Sequence, residues 1–350
     1  MAQLSADNLR SPSVGTVRRQ VQLSHSNLTG FGDRLNATYY NTDGSNTLDD
    51  FSYTIPINSK NGTISLRHRR TSSEILEEFF DVDEDADEID IETNSRTYEI
   101  SFRQPIYQTL SKEIALGFTG SVDESKTTLN GEPFPDISDG EVSISSVRFF
   151  QEYTSRSTND VFVARSEFSL GINDFDVSDI NANNLDSFNE EIPDERYFSW
   201  RGQAQYLRLF APDTVFLIRS DIQLTPSSLF AQEQFSLGGG LSVRGYRQDA
   251  LIGDNGLFIS SEFRFPILRV REWDAVLQVT PFVDFGTVWN SNDVELVEET
   301  LSSVGVGLRI QVGTRFSAQL DWGIPFVDIE TNGDSLQEDG IYFYLRYRAF

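Results

Sequence analysis

The sequence predicts an all-β protein, a transmembrane antiparallel β-barrel of about sixteen strands, and three observations predict it. Apolar residues recur at every second position in segments of about ten residues. The positions between them carry charge in one segment after another. Short and long connections alternate along the chain. This combination is typical of strands that face lipid on one side and a wet lumen on the other.

The alternation is clearest in four segments, in which polar residues separate the apolar ones. In chain order the apolar positions are Tyr98, Ile100 and Phe102; Ile114, Leu116 and Phe118; Val304, Val306, Leu308 and Ile310; and Phe316, Ala318, Leu320, Trp322 and Ile324. The charged residues on the polar face are Glu99, Arg103, Glu262, Arg264, Asp284, Arg309, Arg315 and Asp321. A soluble sandwich also alternates, but its strands are typically ~5–6 residues long, whereas a tilted membrane strand needs ~9–11.

The connections between the segments fall into two length classes. The short ones are residues 26–32, 56–62, 105–111, 154–160, 210–213, 268–272 and 311–314. The long ones are residues 74–94, 124–140, 173–195, 225–255, 290–300 and 327–340. Strict alternation predicts periplasmic turns at one end of a barrel and extracellular loops at the other. A secreted sandwich or β-repeat protein is the alternative, and it has no reason to alternate its loop lengths.

The composition excludes several classes of protein. Acidic residues number 54 and basic residues 28, for a net charge of −26, which argues against a nucleic-acid partner. There is no cysteine and there are only two histidines, so the sequence predicts no metal site and no cofactor. No apolar run approaches the ~18 residues of a spanning helix, and the first residues lack the pattern of a signal peptide. Residues 1–350 are therefore expected to form a single barrel domain.

The connection 225–255 contains the most informative run, which ends in Val243, Arg244, Gly245 and Tyr246. Two carboxylates, Glu262 and Asp284, follow on the polar, lumen-facing positions of later segments. If the loop folds inward, the guanidinium can form a charge-assisted pair with one of them. The alternative, an arginine exposed to solvent in a loop, is left open by these residues alone.

The chain resembles the outer-membrane transporters and assembly factors associated with POTRA domains, and among them the two-partner-secretion transporters of the TpsB, haemolysin secretion/activation type. The resemblance covers essentially the whole chain. It is carried by residues 4–8 and 26–33, by the Arg-Gly-Tyr loop, by the pattern Phe282-x-Asp284-x-Gly286 and by residues 321–325. These positions match the first strands, the sixth extracellular loop, the thirteenth strand and the fifteenth strand of that family.

The resemblance implies a site and a function. The loop is expected to lie inside the lumen with Arg244 paired to Asp284, or to Glu262 as second candidate, beside Phe282 and Gly286 on the wall. The implied protein is a monomeric pore, integral to a bacterial outer membrane and its lipid, that translocates an unfolded secreted client polypeptide (an exoprotein). A barrel-assembly or insertion factor of the same superfamily is the alternative. We expect the family's N-terminal POTRA domains and a signal peptide to be absent from this chain.

Two further readings are disfavoured. A porin needs no inserted loop, and a barrel enzyme needs a base, whereas His25 and His68 both fall on the apolar, lipid-facing phase of their segments, so we expect no enzyme. The acidic stretch resembles a twelve-residue calcium loop, but Ala86 stands where such a loop needs glycine, so an extracellular loop without calcium is expected. Its acidic residues are Asp81, Asp83, Asp85, Asp87, Glu88, Asp90 and Glu92.

Overall fold

The computed structural model describes residues 1–77, 90–135, 140–172, 196–292, 296–329, 331 and 333–349. One antiparallel sheet closes on itself, and sixteen of its strands form a barrel, which confirms the predicted fold class and strand number. The barrel strands are β1 Ala2–Asp7, β2 Arg18–Ser26, β3 Arg34–Asn41, β4 Ser45–Pro56, β5 Thr63–Glu74, β6 Ile91–Gln108, β7 Lys112–Leu129, β8 Glu141–Arg156, β9 Asp160–Ile172, β10 Phe198–Ala211, β11 Thr214–Leu224, β12 Asn255–Val270, β13 Ala275–Trp289, β14 Thr300–Val312, β15 Phe316–Pro325 and β16 Ile341–Arg348.

The barrel closes between its first and last strands. β1 pairs with β16 in a register that runs from Gln3↔Arg348 to Asp7↔Tyr344. Every other strand pairs with its neighbours in the chain order given above, so no strand edge of the barrel is left open. Closure satisfies the backbone hydrogen bonds of each strand within the protein, as a hydrocarbon environment requires.

The two-residue periodicity assigns the faces of the wall. On β6 the outward Ile100 is 56% exposed, and on β7 the inward Ala115 is fully buried. Most inward positions are polar or charged and most outward ones are apolar, since side chains alternate across a strand. The wall therefore has a lipid-compatible exterior and a polar bore.

The short turns use residues that tolerate the left-handed backbone region. Asn27, Asn61, Asp213 and Asp274 have φ between 48° and 66°, and each lies in a short connection. Asparagine and aspartate adopt this conformation more readily than other non-glycine residues. The turns at one end of the barrel can therefore be tight.

Strict alternation of connection lengths was wrong at one place. Residues 42–44 join β3 to β4 in three residues at the end that otherwise carries the long connections. The predicted loop 124–140 was also too long, because β7 continues to Leu129 and a two-residue strand, Glu132–Pro133, pairs with it. A further long-side connection, residues 8–17, was not identified from the sequence.

The remaining described elements are small. Two 3₁₀-helices span Pro12–Val14 and Arg271–Trp273, and a hairpin pairs Phe235–Leu237 with Leu251–Gly253. Among the described residues, the structure contains no helix long and apolar enough to cross a membrane. The strands β6 and β7 are 18 residues each, well beyond the ten expected, so they extend the wall at the long-connection end.

Candidate functional site

The connection between β11 and β12, residues 225–254, folds back into the barrel; we call it the inserted loop. Its small hairpin holds Phe235 and Leu237 in an apolar cluster with residues of the wall. Val243 and Tyr246 join the same cluster, at 0% and 5% exposure. The remaining members of the cluster are Phe258, Val288 and Leu301, which lie on β12, β13 and β14. The loop is therefore packed onto the inner wall by hydrophobic contact.

Arg244, at the tip of the inserted loop, is 1% exposed and forms ion pairs with three strands. Its Nε and Nη2 donate to the two carboxylate oxygens of Asp284 on β13, at 2.7 and 3.0 Å. Its Nη1 donates to Glu262 Oε2 on β12, at 2.8 Å. Asp321 Oδ2 on β15 lies 3.6 Å from Nη1. We call Arg244, Glu262, Asp284 and Asp321 the Arg244 cluster.

The cluster keeps the guanidinium charged despite its burial. Burial alone would lower the pKa of Arg244, but the hydrogen bond to Asp284 and the charges of Asp284, Asp321 and Glu262 raise that pKa above its ordinary value. The guanidinium carbon also lies 3.3 Å from the centre of the Phe282 ring, a cation–π contact. The backbone N–H of Arg244 donates to Asp284 Oδ2 at 3.2 Å, so one carboxylate fixes both main chain and side chain.

Backbone groups beside Arg244 are held by a tyrosine of the last strand. The N–H of Gly245 donates to the Tyr342 hydroxyl at 2.9 Å, and that hydroxyl donates to the carbonyl of Tyr246 at 2.5 Å. The Tyr246 hydroxyl donates to the carbonyl of Ser302 at 2.8 Å. Gly245 has φ +103°, a conformation that a residue with Cβ rarely adopts. The tip of the loop is thus tied to β14 and β16 as well as to β12 and β13.

Glycines of the wall make room for the tip. A Cβ on Gly323 of β15 would lie 2.5 Å from the Gly245 nitrogen, closer than Cβ atoms approach other heavy atoms in proteins. A Cβ on Gly286 of β13 would lie 2.7 Å from Leu237 and 3.1 Å from Val243. The backbone of the wall at Gly323 and Gly286 therefore contacts the loop directly. A glycine is needed at each position, because a side chain would occupy the space that the loop fills.

A second charged contact fixes the first half of the inserted loop. Arg148 of β8 donates from Nη2 to Glu233 at 2.6 Å and from Nη1 to the Ser121 hydroxyl at 2.7 Å. Burial raises the pKa of Glu233, and the charge of Arg148 lowers it only in part. Here the loop contributes the carboxylate and the wall contributes the cation.

Gln337 ties the second half of the inserted loop to the connection 8–17. Its side-chain oxygen accepts from the backbone N–H of Gln248 at 2.7 Å. Its amide donates to the carbonyls of Asn8 and Arg10, at 2.5 and 2.8 Å. Gln337 is fully buried, so these three bonds satisfy it without water.

The opposite part of the bore is open and highly charged. A cavity of about 730 Å³ lies along the inward faces of β5 to β11. Arginines on this wall pair with carboxylates of the same wall: Arg103 with Glu113 and Glu152, Arg165 with Glu152 and Glu167, and Arg201 with Asp221. These pairs are partly exposed, in contrast to the Arg244 cluster. The inserted loop therefore fills one part of the lumen and leaves a polar cavity in the other.

The structure brings together all the residues that the sequence singled out around Arg244. Val243, Arg244, Gly245 and Tyr246 lie against Glu262, Phe282, Asp284 and Gly286. Sequence reasoning missed Tyr342 and Gln337 and the pair Glu233–Arg148. Periodicity places Tyr342 and Arg148 on the inward face, but it gives no sign of which loop residue they meet.

Other candidate residues lie elsewhere. His25 and His68 are on the outer face, where His68 stacks on Tyr98 and its Nε2 lies 2.8 Å from Asp49. Most of the acidic stretch, Asp81 to Glu88, lies outside the described residues. Among the residues that the structure does describe, no three His, Asp or Glu side chains are grouped in a way that could hold a metal ion.

The chain matches a family model over most of its length and two related proteins over a smaller part. A family model described as haemolysin secretion/activation protein ShlB/FhaC/HecB matches residues 1–310. The outer membrane transporter CdiB of Escherichia coli O6:K15:H31 (strain 536 / UPEC) is 27% identical over 137 residues, which are 39% of this chain and 23% of that protein. A second Escherichia coli transporter CdiB is 26% identical, again over 39% of this chain and 23% of its own length. These matches span less than a quarter of either relative's own length.

Solved structures share the fold. CdiB from Escherichia coli superposes with a TM-score of 0.82 at 17% identity, over 99% of this chain and 62% of that one. CdiB from Acinetobacter baumannii gives 0.69 at 17% identity, over 99% and 59%. BamA from Haemophilus ducreyi lacking POTRA domains 1–3 gives 0.65 at 13% identity, over 99% and 70%. At such low identities the likeness shows the barrel architecture alone.

Proposed function

Because the chain belongs to the haemolysin secretion/activation protein family ShlB/FhaC/HecB, we propose that it forms a pore for two-partner secretion. The barrel is integral to the outer membrane, and the family is one of transporters. Its cargo is an unfolded secreted partner polypeptide that passes through the lumen. The barrel acts as a monomer, since one closed ring of strands encloses the whole path.

The inserted loop is the gate in this proposal, and the Arg244 cluster is its lock. The supporting observation is the almost complete burial of Arg244, whose guanidinium donates to both Asp284 and Glu262. A buried ion pair that loses one partner costs ~3–5 kcal/mol, because the remaining charge stays desolvated. A loop held this way has two discrete states, engaged with the wall or withdrawn from it, as gating requires.

The test is secretion by the Arg244→Ala variant, produced in the outer membrane together with its secreted partner. We expect the barrel to assemble and the amount of partner in the medium to fall about tenfold or more, because the loop no longer returns to one defined position. Arg269→Ala is the matched control. It removes an equally charged residue whose pair with Asp213 is about half exposed, at 50% and 42%. Full secretion by Arg244→Ala would contradict the proposal that the Arg244 cluster holds the gate.

The same experiment separates transport from barrel assembly. An assembly factor of similar fold would, when damaged, lower the level of other barrel proteins in the outer membrane. A two-partner transporter would lose only its own client from the medium. Measuring resident barrel proteins alongside the client therefore decides between the two functions, and depletion of the resident proteins would overturn the proposed one.

A further inference from the structure

The outer face of the barrel carries a groove of about 550 Å³ across β5 to β9. Its outward-facing lining is apolar, with Leu66, Tyr98, Ile100 and Val147 around Gly120. A Cβ on Gly120 would have Ile100 Cγ2 at 3.7 Å as its nearest neighbour, so the groove is open at this point. The groove therefore exists because this position has no side chain.

A second outward glycine shows that such an opening is not a general feature of the wall. A Cβ on Gly202 of β10 would lie 3.0 Å from the ring of Trp200, which covers the position. The Trp200 ring is held there by a hydrogen bond from its Nε1 to the Ser166 hydroxyl, at 3.0 Å. Nothing in the described part of the chain covers Gly120 in this way.

Aromatic rings close the groove at its end toward the short turns. Phe118 and Phe149 face each other in the β7–β8 register, two residues below Gly120 and Val147. Their ring centres are 4.9 Å apart. The groove is thus open upward, toward the long connections, which face the cell exterior in barrels of this kind.

Two arginines stand at the upper mouth of the groove. Arg70 and Arg96 lie directly opposite each other in the β5–β6 register, one step above the stacked pair His68 and Tyr98. Both side chains are exposed, and neither side chain makes an ion pair or a hydrogen bond with another described residue. Carboxylates lie across the register from both arginines, Asp49 of β4 from Arg70 and Glu124 of β7 from Arg96, but neither carboxylate forms an ion pair with its arginine.

Two like charges directly opposite on a sheet destabilise it unless an anion lies between them. A phosphate suits this position, since arginine binds phosphate with two parallel hydrogen bonds. The pair stands about 7 Å above Tyr98 along the strand, at the upper limit of the apolar band, where lipid headgroups lie. An apolar groove that ends in two arginines matches the chemistry of a lipid with an acyl chain and a phosphate.

We propose that this surface is a binding site for a phosphate-bearing lipid of the outer leaflet. The phosphate lies between Arg70 and Arg96, and one acyl chain follows the groove over Gly120. The Tyr98 ring lies between the phosphate position and the acyl-chain groove, as expected of an interfacial aromatic residue. The site lies on the outside of the wall and does not depend on the gating role of the inserted loop.

The test is native mass spectrometry of the purified barrel in neutral detergent, titrated with dioleoyl phosphatidic acid. We expect the wild type to retain one lipid and the double variant Arg70→Ala/Arg96→Ala to bind it about tenfold or more weakly, because two charge-assisted contacts are lost. The matched control is Lys60→Ala/Lys112→Ala, which removes the same charge at the short-turn end, where both lysines are exposed. If the control bound the lipid equally weakly, general charge attraction would explain the binding, and the proposal would be overturned.

A second variant separates a lipid from a free phosphate ion. Gly120→Leu places an apolar side chain in the groove, and its Cβ has 3.7 Å of clearance from the nearest atom. We expect this variant to lose the phosphatidic acid while both arginines remain. Unchanged lipid binding by Gly120→Leu, or displacement of the lipid by an equal concentration of inorganic phosphate, would show a simple anion site and overturn the proposal.

Discussion

Two charged contacts tie the inserted loop to the barrel wall, and they differ in polarity and in burial. At the tip, the loop contributes a cation, Arg244, whose side chain is 2% exposed and whose partner Asp284 is fully buried. In the first half of the loop, Glu233 contributes an anion to Arg148, and both side chains are about one-sixth exposed, at 16% and 17%.

The difference in burial predicts a difference in strength. Removing one partner of a buried ion pair costs ~3–5 kcal/mol, whereas an exposed pair contributes ~0.2–1 kcal/mol, and the mostly buried Glu233–Arg148 pair lies between these limits. In the proposed gate, the tip is therefore the contact expected to determine whether the loop stays engaged. The Glu233–Arg148 contact is weaker and can respond to conditions such as pH without releasing the loop.

Of the variants that weaken the engaged loop, Gly323→Ala is expected to increase channel opening most. The new methyl group would lie 2.5 Å from the Gly245 nitrogen and 2.7 Å from the Arg244 carbonyl carbon, so the tip must move away from β15. Overpacking of this kind costs ~1–3 kcal/mol or more, and here it also displaces Arg244 from its carboxylates. In planar bilayers we expect longer and more frequent open states than in the wild type.

The control for this variant is Ala318→Val, which enlarges a side chain on the outer face of the same strand, away from the tip of the loop. It should leave the recordings unchanged. Wild-type gating by Gly323→Ala would mean that the engaged tip is not in contact with β15.

A smaller effect is expected from Tyr342→Phe. This change removes a hydroxyl that accepts from the Gly245 N–H and donates to the Tyr246 carbonyl. Two buried backbone groups lose their partner, at ~1–3 kcal/mol each, but the ion pairs of Arg244 remain. We expect more frequent openings in the bilayer, to a lesser degree than for Gly323→Ala. Tyr344→Phe, on the same face of β16, is the control, and an equal effect of both variants would contradict this role of Tyr342.

The smallest effect is expected from Glu233→Gln, and it should depend on pH. Burial raises the pKa of Glu233 while the loop is engaged, and the carboxyl returns to an ordinary value of about 4.3 when the loop withdraws into water. The engaged state therefore binds the proton more tightly, so acidification stabilises it, and this stabilisation is lost as pH rises through the raised pKa.

The wild-type channel should accordingly open less often as pH is lowered from neutral toward about 4, near the pKa of a solvated carboxyl. Glu233→Gln should flatten this profile while leaving conductance at neutral pH almost unchanged. The measurement is open probability against pH for the two proteins. If the Glu233→Gln channel kept the wild-type pH profile, the pH dependence of opening would come from another titratable group.

Local sequence accounts for much of this molecule because a strand has a short, rigid period. Alternation assigned the inward position to Glu262 and Asp284 and the outward position to His25 and His68. Alternation of apolar and polar residues could not give the length of the connection 42–44, since a tight turn and a long loop interrupt that alternation in the same way. Nor could it give the ends of β6 and β7, whose upper residues are polar on both faces and so carry no alternation.

The sequence by itself determined the architecture, the number of strands and the face on which each side chain of the wall lies. Only the tertiary structure decided which residues meet inside the bore. Gly245 and Tyr342 are 97 residues apart, and Gln337 and Asn8 are 329 apart, so their contacts depend on how the sheet closes and at what register. A two-residue period specifies the face of a strand and carries no information about height or neighbour around the ring.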